Sequence, residues 1–172
     1  AAQQGAKVLL VDENQRVGGQ LIKKTHKFFG SKKEKAGTRG IHIAKDLEEE
    51  VKKLQERNLV KLMLNSTVIG SYENPCDERY RFGVVKKEDY VSVLYDVKCQ
   101  AVVFAVGAME NMLLFPGNDL PGVYGAGGVQ TLMNVYGVKP GDRVLMVGAG
   151  NVGLIVSYQL LQAGVKVDRV VE

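Results

Sequence analysis

The stretch VLMVGAGNVG, Val144 to Gly153, constrains the fold more than any other part of the chain. An apolar run ends in three glycines, Gly148, Gly150 and Gly153, and a helical stretch from Val152 to Ala163 follows. The GxGxxG spacing serves three needs: a tight turn at the first glycine, close backbone approach to a pyrophosphate at the second, and close helix-to-strand packing at the third. The unpaired N–H groups of the first helical turn, with Asn151 and Val152 in it, then face the phosphates together with the positive end of the helix dipole. Gly164 closes the helix, VKVDRVV reads as a strand, and Glu172 stands nineteen residues after Gly153. A carboxylate at that distance can accept hydrogen bonds from an adenosine ribose. The acid favours NAD over NADP, because it repels a 2′-phosphate. The competing reading is a glycine-rich turn that holds no ligand.

The start of the chain repeats part of this pattern. AAQQGAKVLLVDE reads as a helix tail, a stop at Gly5 and a buried strand from Val8 to Val11 that ends in acid, the second half of a βαβ unit. Asp12 follows VLLV as Glu172 follows RVV, although an acid after a strand is common and says little alone. A VGGQ turn spans Val17 to Gln20. From Gly40 to Arg57 the apolar residues Ile41, Ala44, Leu47, Val51 and Leu54 recur every three or four positions, which marks an amphipathic helix. Strand-like runs follow at Val60–Leu64, Thr67–Tyr72, Tyr80–Val85, Tyr90–Val97 and Ala101–Val106, broken by polar turns such as ENPCDE, and together they suggest an antiparallel insert. Two prolines and five glycines between Phe115 and Gly128 read as a connection or ligand-lining loop. Gln130–Tyr136 reads as a short helix, KPGD as a turn, and Arg143–Val147 as a strand.

Charge and cysteine content exclude several classes. The net charge is +4, and the cations bunch between Lys23 and Arg39. Such a run is a solvated loop in the plain reading and a docking face for an acidic partner or an anion in the functional one. No nucleic-acid-binding motif accompanies it. Cys76 and Cys99 form no CxxC pair, so neither a redox dithiol nor a metal site is signalled, and two free thiols fit a cytoplasmic protein. No apolar run approaches the ~18 residues of a membrane span.

Taken together, VLLVDENQRVGGQ, the FAVGA run at Phe104 to Ala108, the Pro/Gly-rich connection and GAGNVG resemble the two-dinucleotide-binding flavoprotein oxidoreductases, the pyridine nucleotide-disulfide oxidoreductase-like family, which use FAD and NAD(P)H. The order and spacing match along nearly the whole chain. The run from Val106 to Gly153 is most similar to the branch that holds the alpha subunits of heteromeric sarcosine oxidase, the hydrogen cyanide synthase flavoprotein subunit and dye-linked proline dehydrogenase. The resemblance implies that Asp12, with Glu13 beside it, binds the FAD ribose. It also implies that Gly18 and Gly19, followed by Gln20, lie close to the flavin nucleotide, and that the strand end at Val106, Gly107 and Ala108 approaches FAD. AVGA stands where the family carries threonine, and the CxxC of the disulfide-reductase branch is absent.

The fold expected is therefore α/β, a Rossmann-like FAD/NAD(P)-binding fold incomplete at both ends, with an antiparallel β insert. Residues 1–114 form a partial FAD-binding domain lacking its first βα unit, with the insert at about 60–106. Residues 115–140 connect, and 141–172 form a partial NAD(P)-binding unit. The family's first GxGxxG is not in this sequence, so the chain reads as a fragment of an oxidoreductase that oxidises amines or amino acids and works with the remainder of its chain or a second subunit. The alternatives are a naturally split enzyme and a non-catalytic binding or assembly subunit with relic glycines. No catalytic acid or base stands out. His26 in the basic loop and His42 at the helix start read first as surface residues.

Overall fold

A computed structural model describes residues 1–73 and 79–172. Most of the ENPCDE turn, Cys76 included, lies outside the described residues. The chain divides into two compact units, Ala1–Gly19 with Ala44–Gly107, and Gln20–Ile43 with Ala108–Glu172.

In the first unit, a 3-10 turn at Ala2–Gln4 is closed by Gly5, whose φ of 89° is the left-handed geometry expected of a glycine stop. Strand β1 (Val8–Val11) follows. It pairs in parallel with β2 (Val60–Met63), from Val8 opposite Val60 to Val11 opposite Met63. The connection runs through helix α1 (Gly40–Glu56), whose first four residues belong to the second unit. Ile43 and Ala44 are buried, and the charged residues at 45, 46, 49, 50, 52 and 53 face solvent. Leu47 departs from the expected apolar face and is 43% exposed. A chain that crosses over through a helix returns in the same direction, so β2 is a parallel partner of β1 and not part of the insert.

The insert begins at Ser66 and not near residue 60. Strands β3 (Ser66–Tyr72), β4 (Tyr80–Lys87) and β5 (Ser92–Cys99) form one antiparallel sheet with β4 in the centre. Val84 on the central strand is fully buried. The run Ala101–Val106, expected as a further strand, forms none among the described residues. Its composition suits a strand, but a strand exists only by pairing with a neighbour, and Phe104 and Val106 are 74% and 89% exposed.

The second unit is built on β6 (Arg143–Val147) and β7 (Lys166–Val171), parallel neighbours joined through α3 (Asn151–Gln162). Its core gathers Met146, Val156, Leu160, Val165 and Val129, the last from helix α2 (Ala126–Asn134). The sequence placed this helix at Gln130–Tyr136, four residues late. The correction has a long-range cause: the Glu110 carboxylate accepts the N–H groups of Ala126 (2.8 Å) and Gly127 (2.9 Å), capping a helix whose N-cap is Gly125. A side chain sixteen residues upstream supplies what local sequence does not.

The start of the basic segment is also tied down here, where the plain reading expected solvent. Lys23 Nζ donates to the Gly127 carbonyl and Thr131 Oγ1, and Asn134 Nδ2 donates to the Lys23 carbonyl. Lys24 Nζ donates to Gln130 Oε1 (2.7 Å), Gln130 Nε2 to Gln159 Oε1 (2.9 Å), and Gln159 Nε2 to Thr25 Oγ1 (2.7 Å). Gln130 is 0% and Gln159 4% exposed, so both buried amides are satisfied by one continuous chain of bonds. His26 stacks on Phe29 with ring centroids 4.8 Å apart.

Glu110→Ala removes both cap bonds, and urea unfolding is expected to show a loss of about 1–2 kcal/mol. Burial first, and the Lys24 charge second, hold His26 below its ordinary value of 6.5. Between that lowered value and 6.5 the unfolded chain binds the proton more readily than the folded one, so stability falls as pH drops through this window. His26→Phe keeps the stacking and removes the titration, and its melting temperature is expected to fall less than that of the natural protein between about pH 7.5 and about pH 5.5.

Candidate functional site

The glycine loop joins β6 to α3. Gly148 has φ 103°, a conformation that a residue with a Cβ rarely adopts, and its N–H donates to the Val171 carbonyl at 2.7 Å. Gly150 is the N-cap of α3, and its carbonyl accepts the first intrahelical bond, from Leu154 (3.0 Å). The N–H groups of Asn151, Val152 and Gly153 precede that bond, and no side chain of the described residues caps them. A Cβ on Gly153 would strike the Gly148 carbonyl oxygen, so the third glycine brings the helix onto the turn as the spacing required. A Cβ on Gly150 would meet nothing within 4 Å, so that backbone is open to a close visitor. Free donors, a helix dipole and an open approach together make a cradle that suits a pyrophosphate.

Glu172 follows Val171, the residue bonded to Gly148, so the acid stands one residue beyond the peptide that grips the loop. Among the described residues it has no hydrogen-bond or ion-pair partner. Asp168 on the same strand is engaged instead: Arg143 at 2.8 Å, helped by Lys166, holds its carboxyl below the usual range.

In the first unit Asp12 ends β1. Its N–H donates to the Met63 carbonyl and its own carbonyl accepts from Ser66, both at 3.0 Å, which fixes it where the parallel pair meets the insert. Oδ1 accepts both the backbone N–H and the side-chain amide of Asn14 at 2.9 Å, closing an Asx turn. Half of this carboxylate therefore shapes the turn, and Oδ2 has no partner among the described residues. Glu13 is exposed. Gly18 and Gly19 carry φ values of 118° and 49°, a left-handed pair that only glycine adopts readily, and a 3-10 turn (Gly19–Lys23) begins there. A cavity of about 190 Å³ within this unit is lined by Arg16, Val17, Glu48, Lys52 and Leu62 among others, and neither Asp12 nor Gly18 lines it.

The expected site residues fall in both units. Asp12, Glu13, Gly18, Gly19, Val106 and Gly107 lie in the first, and Gln20, Ala108, Gly148, Gly150, Asn151, Val152, Gly153 and Glu172 in the second. The structure brings the glycine loop, the start of α3 and the end of β7 together. It gives Val106, Gly107 and Ala108 no strand; Gly107 has φ 71° and all three are exposed.

Sequence reasoning missed a polar cluster in the second unit: Lys23, Lys24, Thr25, Glu110, Gln130 and Gln159. No local signal marks it, since its partners are more than a hundred residues apart in several cases. Gly127, Gln130, Thr131 and Asn134 do share one face of α2, and that polar face of a short helix was the only available hint. Among the described residues no group of His, Cys, Asp or Glu could hold a metal ion, and no helix is long and apolar enough to cross a membrane.

Comparison with known proteins bears on the family and the fold. The family model for pyridine nucleotide-disulphide oxidoreductase matches residues 1–172. The sarcosine oxidase alpha subunit of Rhizobium meliloti is 30% identical over 100% of this chain and 17% of its own length. Hydrogen cyanide synthase subunit HcnB of Pseudomonas aeruginosa is 30% identical over 99% of this chain and 34% of its own. The crystal structure of L-proline dehydrogenase from P. horikoshii superposes with a TM-score of 0.80 at 25% identity, covering 98% of this chain and 31% of that one. The chain thus spans between 17% and 34% of the length of these relatives, and its mixed α/β architecture matches the Rossmann-like fold of the dehydrogenase. With its whole length matched by the family model, the chain belongs to the pyridine nucleotide-disulphide oxidoreductase family.

Proposed function

We propose that this chain is the nucleotide-binding part of an FAD-dependent oxidoreductase that oxidises amines or amino acids, with NAD bound at Gly148 to Gly153. The observation that carries this reading is the junction of β6 and α3: a left-handed Gly148, a close-packed Gly153, and helix N–H groups capped by no side chain of the described residues. These residues fit a dinucleotide. The first-turn N–H groups of α3 would hold its pyrophosphate, and Glu172 would accept hydrogen bonds from its adenosine ribose. An acid there disfavours the 2′-phosphate of NADP.

In the first unit, Asp12 Oδ2 is free to accept from the FAD ribose, while Oδ1 keeps the turn closed. The left-handed pair Gly18 and Gly19 allows the backbone to lie against the flavin nucleotide, and Gln20 follows it. Hydride chemistry is what the flavin and nicotinamide supply when bound; the protein contributes binding and orientation. The substrate class draws support from the relatives, since sarcosine and L-proline, named for two of them, are both amino acids. Two of these relatives are named as subunits, which supports a second chain as partner.

A visible spectrum of the full-length protein, taken anaerobically before and after NADH, tests the reading. Flavin bands near ~450 nm that bleach with NADH are expected for a nicotinamide site coupled to flavin. Bleaching by an amine or amino acid alone would leave the second nucleotide site without a redox role, and absence of flavin bands would sink the proposal. Gly150→Ala adds a Cβ into open space, so it is expected to cost less than about 1 kcal/mol of stability while weakening NADH binding about tenfold, because the Cβ stands where the pyrophosphate must approach. Gly153→Ala is expected to cost about 1–3 kcal/mol in urea unfolding through its clash with the Gly148 carbonyl.

A further inference from the structure

The first unit holds a cavity lined by none of the residues assigned above to a nucleotide. It measures about 190 Å³ and lies wholly within that unit, among α1, the end of β2 and the loop from Gln15 to Val17. Its α1 wall is a single helical stripe, because Glu48, Val51, Lys52 and Gln55 follow one another at helical spacing and so share a face. Leu62 on β2 and Leu64 just past its end, two residues apart, fall on one side of the strand. Val17, Val51, Leu62 and Leu64 are each only partly buried. Helix and strand leave a space here that no side chain fills, and groups that face a void forgo dispersion contacts on that side.

The lining divides by chemistry. The four aliphatic side chains make an apolar floor, and the exposed residues Gln15, Arg16 and Lys52 mark the mouth. Charge at the mouth does not balance. Lys52 Nζ pairs with Glu48 Oε1 at 2.8 Å, so these two neutralise each other. The Lys52 hydrogen bond first, and the Lys52 charge second, hold the Glu48 carboxyl below its usual range, and Arg16 and Lys45 add to this. Arg16 itself has no hydrogen bond or close ion pair among the described residues, which leaves its guanidinium in excess over the Glu48–Lys52 pair. That planar fork of N–H donors matches a carboxylate in shape as well as charge. An apolar cavity of roughly 150 Å³ is enough to hold benzene, so the floor has room for a body of one ring.

We propose that this cavity binds a small amphipathic monocarboxylate, with an apolar ring or branched chain seated on Val17, Val51, Leu62 and Leu64 and the carboxylate turned out to Arg16. The binding is reversible and forms no covalent bond. The lining argues against the neighbouring classes of ligand. Inorganic phosphate would meet Arg16 but leave the apolar floor empty, a neutral hydrocarbon would leave Arg16 without a partner, and an amine would face both Arg16 and Lys52. The inference rests on neither the flavin nor the nicotinamide reading, because the cavity shares no residue with either.

Benzoate is the probe, followed by methyl NMR of Val17, Val51, Leu62 and Leu64 in the full-length protein, since its ring current shifts any methyl it lies against. These methyls report this cavity, so a carboxylate held elsewhere on the enzyme is not mistaken for one bound here. Benzoate is expected to shift them saturably and to bind roughly tenfold tighter than benzyl alcohol, which keeps the ring and lacks the charge. Acetate keeps the charge and lacks the ring, and is expected to displace benzoate only at concentrations roughly tenfold higher. Arg16→Gln, an exposed change that leaves the packing alone, is expected to reduce benzoate to the affinity of benzyl alcohol. Val51→Phe puts a ring into the cavity from α1 and is expected to abolish the shifts at Leu62 and Leu64. Absence of the shifts, equal affinity for benzoate and benzyl alcohol, or unchanged binding in Arg16→Gln would overturn the proposal. Release of bound flavin as benzoate saturates these methyls would also overturn it, because the cavity would then belong to the nucleotide site. A colourless protein that still shows the shifts would refute the proposed function and leave this inference standing.

Discussion

The approach of α3 to the turn after β6 is the constraint on which the second unit depends. Gly153 lies so close to the Gly148 carbonyl that no side chain fits between them. That contact lets Val156 and Leu160 reach Met146 and Val165 to form the core. The same junction holds the first turn of the helix, whose N–H groups no side chain of the described residues caps, next to Gly150, where a Cβ would meet nothing within 4 Å. Helix packing and the open backbone at Gly150 therefore have one geometric origin at this junction. The left-handed φ at Gly148 turns the strand, and the bond from its N–H to Val171 ties the loop to the end of β7, beside Glu172.

The first unit meets a similar requirement by different means. Asp12 joins the parallel pair to the insert through two backbone bonds, and its side chain closes the turn through Asn14. A carboxylate used this way is half structural, which is why an acid after a strand is weak evidence when read from sequence alone. Gly18 and Gly19 are more informative, because two successive left-handed residues are costly for anything but glycine.

The polar network of the second unit serves a different purpose. Two buried glutamines on α2 and α3 need four partners between them, and the segment after the glycine pair provides two of these through Lys24 and Thr25. Leaving one of those amides unpaired would be costly, so the chain that satisfies both also fixes where Lys24 must stand. The basic run from Lys23 to Arg39 is for this reason not uniform: its first members are held on α2, while Lys32 and Lys33 face solvent.

Elements whose cause is local were legible in the sequence. Periodicity gave α1, the glycine stop gave the start of β1, and GAGNVG gave the strand, turn and helix of the second unit together with the clash that makes Gly153 obligatory. Pairing and long-range satisfaction were not legible. Whether Val60–Met63 joins β1 or the insert, and whether Ala101–Val106 is a strand at all, depends on which edge is available, and no residue of a strand records its partner. Helix α2 starts at Ala126 because Glu110 reaches its N–H groups, and Lys24 stands apart from its neighbours because Gln130 is buried beneath it. By itself the sequence determined the places where backbone geometry demands a glycine or a helical period. Only the tertiary structure decided which distant groups meet, because strand pairing and burial are properties of the assembled fold.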